Sequence, residues 1–269
     1  MSGAPGPLVQ VRGLTLCAGT RVLQRALSFD IHPAEVLVIM GGSGCGKSTL
    51  LRHLVGLQVP AAGRICHRGV DLHRASADAL VQLRRGFGVM FQAGALWSSM
   101  TVGENVMLPM EMFTSMSPRQ RAERAQSHLA DVGLADAFEL DPAALSGGMR
   151  KRAAIARALA LDPPLLFLDE PSAGLDPPTS AQLDALLLSL RERQGTSIVL
   201  VTHELDSIFA VADRALFLDS QTRTMLPPDA PQALRDHGPA VVRDFLRGRV
   251  GARPSPAPAA PDAARGAAP

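Results

Sequence analysis

The chain has 269 residues, 46% of them hydrophobic and 19% charged, which allows one α/β domain with an insertion and a real core and excludes wholesale disorder. Its net charge of +2 is too small to argue for a nucleic-acid partner. Cys17, Cys45 and Cys66 are scattered and odd in number, which suggests neither a metal site nor a disulfide framework.

Leu8–Ile31 alternates and carries β-branched residues, which predicts a hairpin turning near Ala18–Arg21. Val36–Met40 is a continuous apolar run, the pattern of a strand covered on both faces. A glycine-rich loop follows, then a predicted helix over Lys47–Leu54, and a short strand is predicted at Gly88–Phe91. From about Ala93 to Leu159 the pattern is helical. Ser117, Pro118 and Gln120 supply a cap, a first-turn proline and a third-position glutamine, and Ala122, Ala125, Leu129 and Val132 follow on one face. Leu165–Leu168 and Ser197–Val201 read as buried strands, with a helical stripe of Leu183, Leu186, Leu187 and Leu190 between them. Strands alternating with helices imply a mostly parallel sheet. Pro228–Arg247 has room for two short helices with Val241, Val242, Phe245 and Leu246 as their apolar face.

Gly248–Pro269 is dominated by Arg, Pro, Ala and Gly, has little to bury, and is predicted disordered. Its basic character suits a solvated end or a weak hold on anionic lipid. No apolar run reaches the roughly 20 residues that span a bilayer. Met1–Gln10 lacks the charged-then-apolar order of a secretory signal, so a cytosolic protein is expected.

Three segments carry chemistry. Gly41, Gly42, Ser43, Gly44, Cys45, Gly46, Lys47 and Ser48, followed by Thr49, match the phosphate-loop pattern between a buried strand and a helix. The glycines let backbone N–H groups close on phosphate oxygens, and the helix points its positive end at them. Lys47 reaches the terminal phosphates and Ser48 suits Mg²⁺. A buried strand delivers Asp169 and Glu170 to the same sheet edge, where Asp169 suits Mg²⁺ and Glu170 is placed to take a proton from water. Ser146, Gly147 and Gly148 open a helix and offer a second anion site. His203 and Gln92 follow strands and on local grounds are equally ordinary surface residues. Cys45 reads as small filler, or as a reactive thiol if it is exposed at the helix N-terminus.

In this order these residues resemble the ATP-binding subunit of an ABC transporter: GGSGCGKST, Gln92, LSGG, LLFLDEP, Ser172–Asp176 and VTHE with His203. The resemblance covers about Leu8–Arg223. It implies a P-loop NTPase of ABC type: a mostly parallel α/β core sheet, an antiparallel β subdomain and an inserted helical subdomain. On that pattern residues 1–227 are the ATPase domain, with the helical subdomain at about 93–159, residues 228–247 are a helical extension, and residues 248–269 are a tail. The resemblance also implies that two copies sandwich two ATP molecules head to tail, Gly41–Thr49 of one copy facing Ser146–Gly148 of the other. Lys47 would clamp phosphate, and Ser48, Gln92 and Asp169 would attend to Mg²⁺. Glu170 would polarise water, His203 would contact the γ-phosphate, and Asp176 would bridge the copies.

Gln92–Met107, LSGGMRKRAAIARALALDP, GLDPPTSA and the DHGPAVVRDFLRG stretch are similar to the Mla/MCE-type lipid transporter ATPases. That similarity implies a permease and an MCE-domain substrate protein as partners, phospholipid transport, and a place on the cytoplasmic face of a bacterial inner membrane. The other expectations are an amino-acid or ion importer's ATPase, a soluble ABC ATPase, and a P-loop kinase. Two departures from the broader family stand out: Leu16, Cys17 and Ala18 offer no aromatic for adenine, and Met149 stands where many relatives have Gln. Trp97, the only tryptophan, reads either as helical-subdomain core or as part of a groove for a permease helix.

Overall fold

The computed structural model describes residues 6–92 and 94–249. The alternating N-terminal stretch forms β1 (Val9–Ala18) and β2 (Arg21–Ile31), paired antiparallel. Val9, Val11, Leu14 and Leu16 of β1 all point inward although their numbering changes parity. A register shift between Val11 and Leu14, around Gly13 at φ 61°, makes this possible. One extra residue there returns the later side chains to the core face.

β3 (Val36–Gly41) is buried along its whole length and leads through the glycine loop into α1 (Lys47–Leu54). β4 (Ala62–His67) and β5 (Val70–Asp71) complete the antiparallel sheet, in the order β2-β1-β4-β5. α2 (Ala77–Arg85), capped by Ser76, buries no residue fully, and β6 (Gly88–Met90) follows it.

Three helices come next: α3 (Val102–Phe113), α4 (Pro118–Asp131) and α5 (Gly147–Leu159). α3 opens with a capping box from Thr101 and Glu104, and α4 with one from Ser117 and Gln120. Each box satisfies two N–H groups that the helix start would otherwise orphan.

The chain continues through β7 (Leu165–Asp169), α6 (Pro177–Gln194), β8 (Ser197–Val201), α7 (Leu205–Val211), β9 (Arg214–Asp219) and β10 (Thr224–Asp229), ending in α8 (Pro231–His237) and α9 (Ala240–Leu246). The second sheet has the order β10-β9-β3-β8-β7-β6, parallel except for β10. Its faces are covered by two separate apolar clusters. Val36, Val38, Met40, Leu166 and Leu168 face the helical side, and Leu37, Ile39, Phe167, Val199 and Val201 face α1 and the antiparallel sheet. This explains why β3, β7 and β8 read as unbroken apolar runs.

Two expectations change. β10 runs to Asp229, so the boundary set at 227 falls inside a strand. Val241 does not belong to the apolar face: it is 37% exposed, while Val242, Phe245 and Leu246 are buried. The tail expectation lies outside the described residues beyond Arg249. Among the described residues no helix is long and apolar enough to cross a membrane.

Candidate functional site

β3, β8, β7 and β6 are neighbours and parallel, so their C-terminal ends meet at one edge. That edge is where open α/β sheets bind ligands. It brings together the loop after Gly41, Asp169 and Glu170 after β7, His203 after β8 and Gln92 after β6.

Gly41, Gly44 and Gly46 have φ of 145°, 72° and 107°, a region that side chains disfavour. At Gly41 a Cβ would also sit 2.6 Å from the Leu218 carbonyl oxygen and 2.8 Å from Cys45 Sγ. No side chain caps α1 and no acidic residue stands in its first turn, so its N–H groups and positive end stay open to an anion. Lys47 Nζ donates to the carbonyl oxygens of Gly41 (3.0 Å) and Gly42 (3.3 Å), which holds the ammonium over the loop. A cavity of about 610 Å³ opens here, lined among others by Gly41, Gly42, Lys47, Gln92, Glu170 and His203. Ser43, Gly44, Gly46, Ser48 and Thr49 complete the loop side of it.

Cys45 takes no part in the lining. It is 2% exposed, and burial pushes its thiol above the usual range despite Lys47 nearby. The filler reading holds and the reactive-thiol reading does not.

Ser48 Oγ donates to Asp169 Oδ1 at 3.1 Å. Burial raises the Asp169 carboxyl above its ordinary value, and the Ser48 hydrogen bond and nearby cations oppose this. Glu170 sits at φ 50°, with its N–H donated to the Val201 carbonyl at 2.8 Å. Its Oε1 lies 2.8 Å from His203 Nδ1, while Oε2 is buried without a partner. The carboxylate is held beside the cavity with one oxygen bound to His203 and the other enclosed.

Ser146, Gly147, Gly148 and Asp176 do not line this cavity. Ser146 Oγ accepts from the Met149 N–H and caps α5. Asp176 caps α6 by accepting from Thr179 N (3.1 Å) and Thr179 Oγ1 (2.8 Å), and these bonds hold its exposed carboxyl below the usual range. A Cβ on Gly148 would meet Thr179 Cγ2 at 2.6 Å, so the two helix starts pack together.

Several residues of the site carry no motif. Gln24, fully buried in β2, donates through Nε2 to the carbonyls of Cys45 (2.9 Å) and Asp219 (3.1 Å), tying the phosphate loop to β9. Leu23, Leu205, Phe245 and Gly248 supply the cavity's remaining wall. Lys151 on α5 donates to the Gln92 carbonyl (2.5 Å) and the Glu170 carbonyl (3.4 Å); burial lowers its ammonium below the usual lysine range. None of these residues carries a local signal in the sequence, because their partners lie far along the chain. Trp97 is 58% exposed, which removes the core reading, and its backbone N–H and C=O are both bound by the buried Asn105 side chain.

A parallel sheet that ends in a phosphate loop beside a Ser–Asp pair and a fixed glutamate defines a P-loop nucleoside-triphosphate hydrolase. Residues 24–173 match the family described as ABC transporter, and the chain belongs to that family. It is an ATP-binding subunit with ATPase activity.

The chain is 37% identical over 244 residues to the probable ribonucleotide transport ATP-binding protein mkl of Mycobacterium leprae, covering 91% of this chain and 70% of that protein. It is 34% identical over 241 residues to the intermembrane phospholipid transport system ATP-binding protein MlaF of Haemophilus influenzae, covering 90% of each. It is 40% identical over 217 residues to the methionine import ATP-binding protein MetN 1 of Rhodococcus jostii, covering 79% of this chain and 64% of that one. Among solved structures, the dimeric bacterial ABC transporter cassette MJ0796 is similar with a TM-score of 0.75 and 30% identity, over 82% of this chain and 98% of that chain.

Proposed function

We propose that the chain energises a bacterial phospholipid transporter of the Mla/MCE type, as a head-to-tail dimer on the cytoplasmic face of the inner membrane with a permease and an MCE-domain protein. The observation that carries this reading is the similarity to MlaF along 90% of both chains. Gln92–Met107, the LSGG segment with Met149, and Asp236–Gly248 resemble the same family. The similarity to MetN 1 favours a second reading, an importer of a small solute with the same ATPase chemistry.

In the proposed mechanism ATP lies in the cavity with its phosphates in the Gly41–Thr49 loop. Lys47 exchanges the neutral Gly41 and Gly42 carbonyls for charged phosphate oxygens, a stronger contact because both partners are then ionised. The donors present fit Mg²⁺: the Ser48 hydroxyl, one Asp169 carboxylate oxygen and the Gln92 amide oxygen are hard ligands, with phosphate and water left to complete the shell. The bound ion would neutralise charge on the phosphates. Glu170, which lines the cavity, accepts a proton from the attacking water, and His203, 61% exposed at its side chain, reaches the γ-phosphate. Ser146–Gly148 and Asp176, outside the cavity of their own chain, face the partner copy. The exposed Trp97 receives a permease helix. ATP binding drives transport only by favouring the closed pair over the open one.

The division of the chain into an ATPase domain with a helical subdomain, followed by a helical extension that starts after Asp229, belongs to the same reading. Purifying the chain with its membrane partners and identifying them by mass spectrometry tests it. A permease with an MCE-domain protein is expected; a permease with a solute-binding protein would replace the lipid reading with the importer.

A further inference from the structure

We propose that Lys151 is a positioning residue for hydrolysis, which holds the backbone at Gln92 and at Glu170 to α5, the helix capped by Ser146. The proposal deepens the reading above and rests on it for the roles of Gln92 and Glu170.

Three observations converge. Lys151 lies just over one turn into α5, after Ser146–Gly148. Its Nζ bridges the carbonyl of Gln92 at 2.5 Å and that of Glu170 at 3.4 Å. These groups follow β6 and β7, adjacent strands of the sheet, so one ammonium spans both turns. Glu170 needs such support, since a non-glycine residue at φ 50° is held against its own preference. The Glu170 N–H is fixed by Val201, and its carbonyl accepts from Ala173 (3.2 Å) and from Lys151.

The composition points the same way. In a chain that otherwise uses arginine, the only lysines are Lys47, over the phosphate loop, and Lys151. A compact ammonium with three rotatable donors suits two carbonyls on different turns better than a planar fork does. Arg157, further along α5, binds the carbonyls of Gly94 (3.0 Å) and Ala95 (2.5 Å) and does not reach Glu170. Arg157 therefore holds the loop, and Lys151 joins the loop to the glutamate. A movement of α5 reaches both groups at once through this contact.

The test uses the purified full chain and steady-state ATP hydrolysis. Lys151→Met keeps the aliphatic stem and removes the donors. The expected result is a fall in kcat of about tenfold or more, because small misplacements of reacting groups are costly, with KM for ATP within twofold and an unchanged thermal midpoint. A kcat within twofold of wild type overturns the proposal. So does a joint loss of kcat, KM and thermal midpoint, which marks a purely structural lysine. Lys151→Leu, which also lacks donors, decides by the same criteria if the Met variant does not fold. Glu170→Gln in the same assay separates the two readings: if that variant still hydrolyses ATP, the role of Glu170 fails, whatever Lys151 does.

Discussion

His203 Nδ1 and Glu170 Oε1 lie 2.8 Å apart, and the bond joins two strand ends across the mouth of the cavity. It occupies one carboxylate oxygen and orients the other, which is buried and unpaired. Glu170→Gln preserves the shape but cannot take a proton. General-base removal costs about 10²–10⁴ in rate, so kcat should fall by that factor while ATP affinity is kept. Measuring both on one preparation checks this; hydrolysis within tenfold of wild type would assign the base elsewhere.

Gly88 shows how tightly the sheet edge is set. A Cβ there would come within 2.0 Å of the Ala158 carbonyl oxygen on α5, a backbone atom that cannot swing aside. Gly88→Ala should cost about 2–3 kcal/mol through overpacking. For a chain of this size that lowers the thermal midpoint by roughly 4–12 °C. Calorimetry of the two proteins decides it, and an unchanged midpoint would show that α5 shifts freely against β6.

The phosphate loop, the Asp169–Glu170 pair and the Ser117 helix start were legible because their signals are local: glycine spacing, an apolar run closing on two acids, a cap with its third-position partner. The hairpin of β9 and β10 was not. Pro227 and Pro228 argue against a strand, and β10 accepts them only because it is the edge of its sheet. The Thr101–Glu104 box lies inside a long helical stretch whose pattern does not mark a break there. Val241 departs from the expected apolar face because α9 presents a narrower face to the core than its apolar residues suggest. Lys151 and Gln24 act through backbone carbonyls distant in sequence, and no pattern along the chain reports such contacts.

Cys45 offers a chemical check on the loop. Its side chain is buried and its thiol is pushed away from the reactive thiolate form, while Cys17 and Cys66 are partly exposed. A maleimide should label Cys17 and Cys66 in the folded protein and Cys45 only after unfolding, with ATP making no difference at Cys45. Peptide mapping of the label reads this directly. Fast labelling of native Cys45 that ATP suppresses would mean that the loop opens in solution.

His67 makes stability depend on pH. Its ring is buried between Phe87, 5.2 Å away, and the Leu54 carbonyl, 2.8 Å from Nε2, and burial lowers its affinity for a proton below the ordinary 6.5. His128 is shifted the same way, by burial and then by Arg124. The unfolded chain therefore takes up protons that the folded chain refuses. This contribution to stability is complete above about pH 6.5 and is lost as pH falls towards the folded values. The thermal midpoint should drop between about pH 7.5 and pH 5.5 for this reason. His67→Gln lowers the midpoint at the higher pH by disturbing the packing, but it should narrow the difference between the two pH values. An unchanged difference would place the acid sensitivity in other groups.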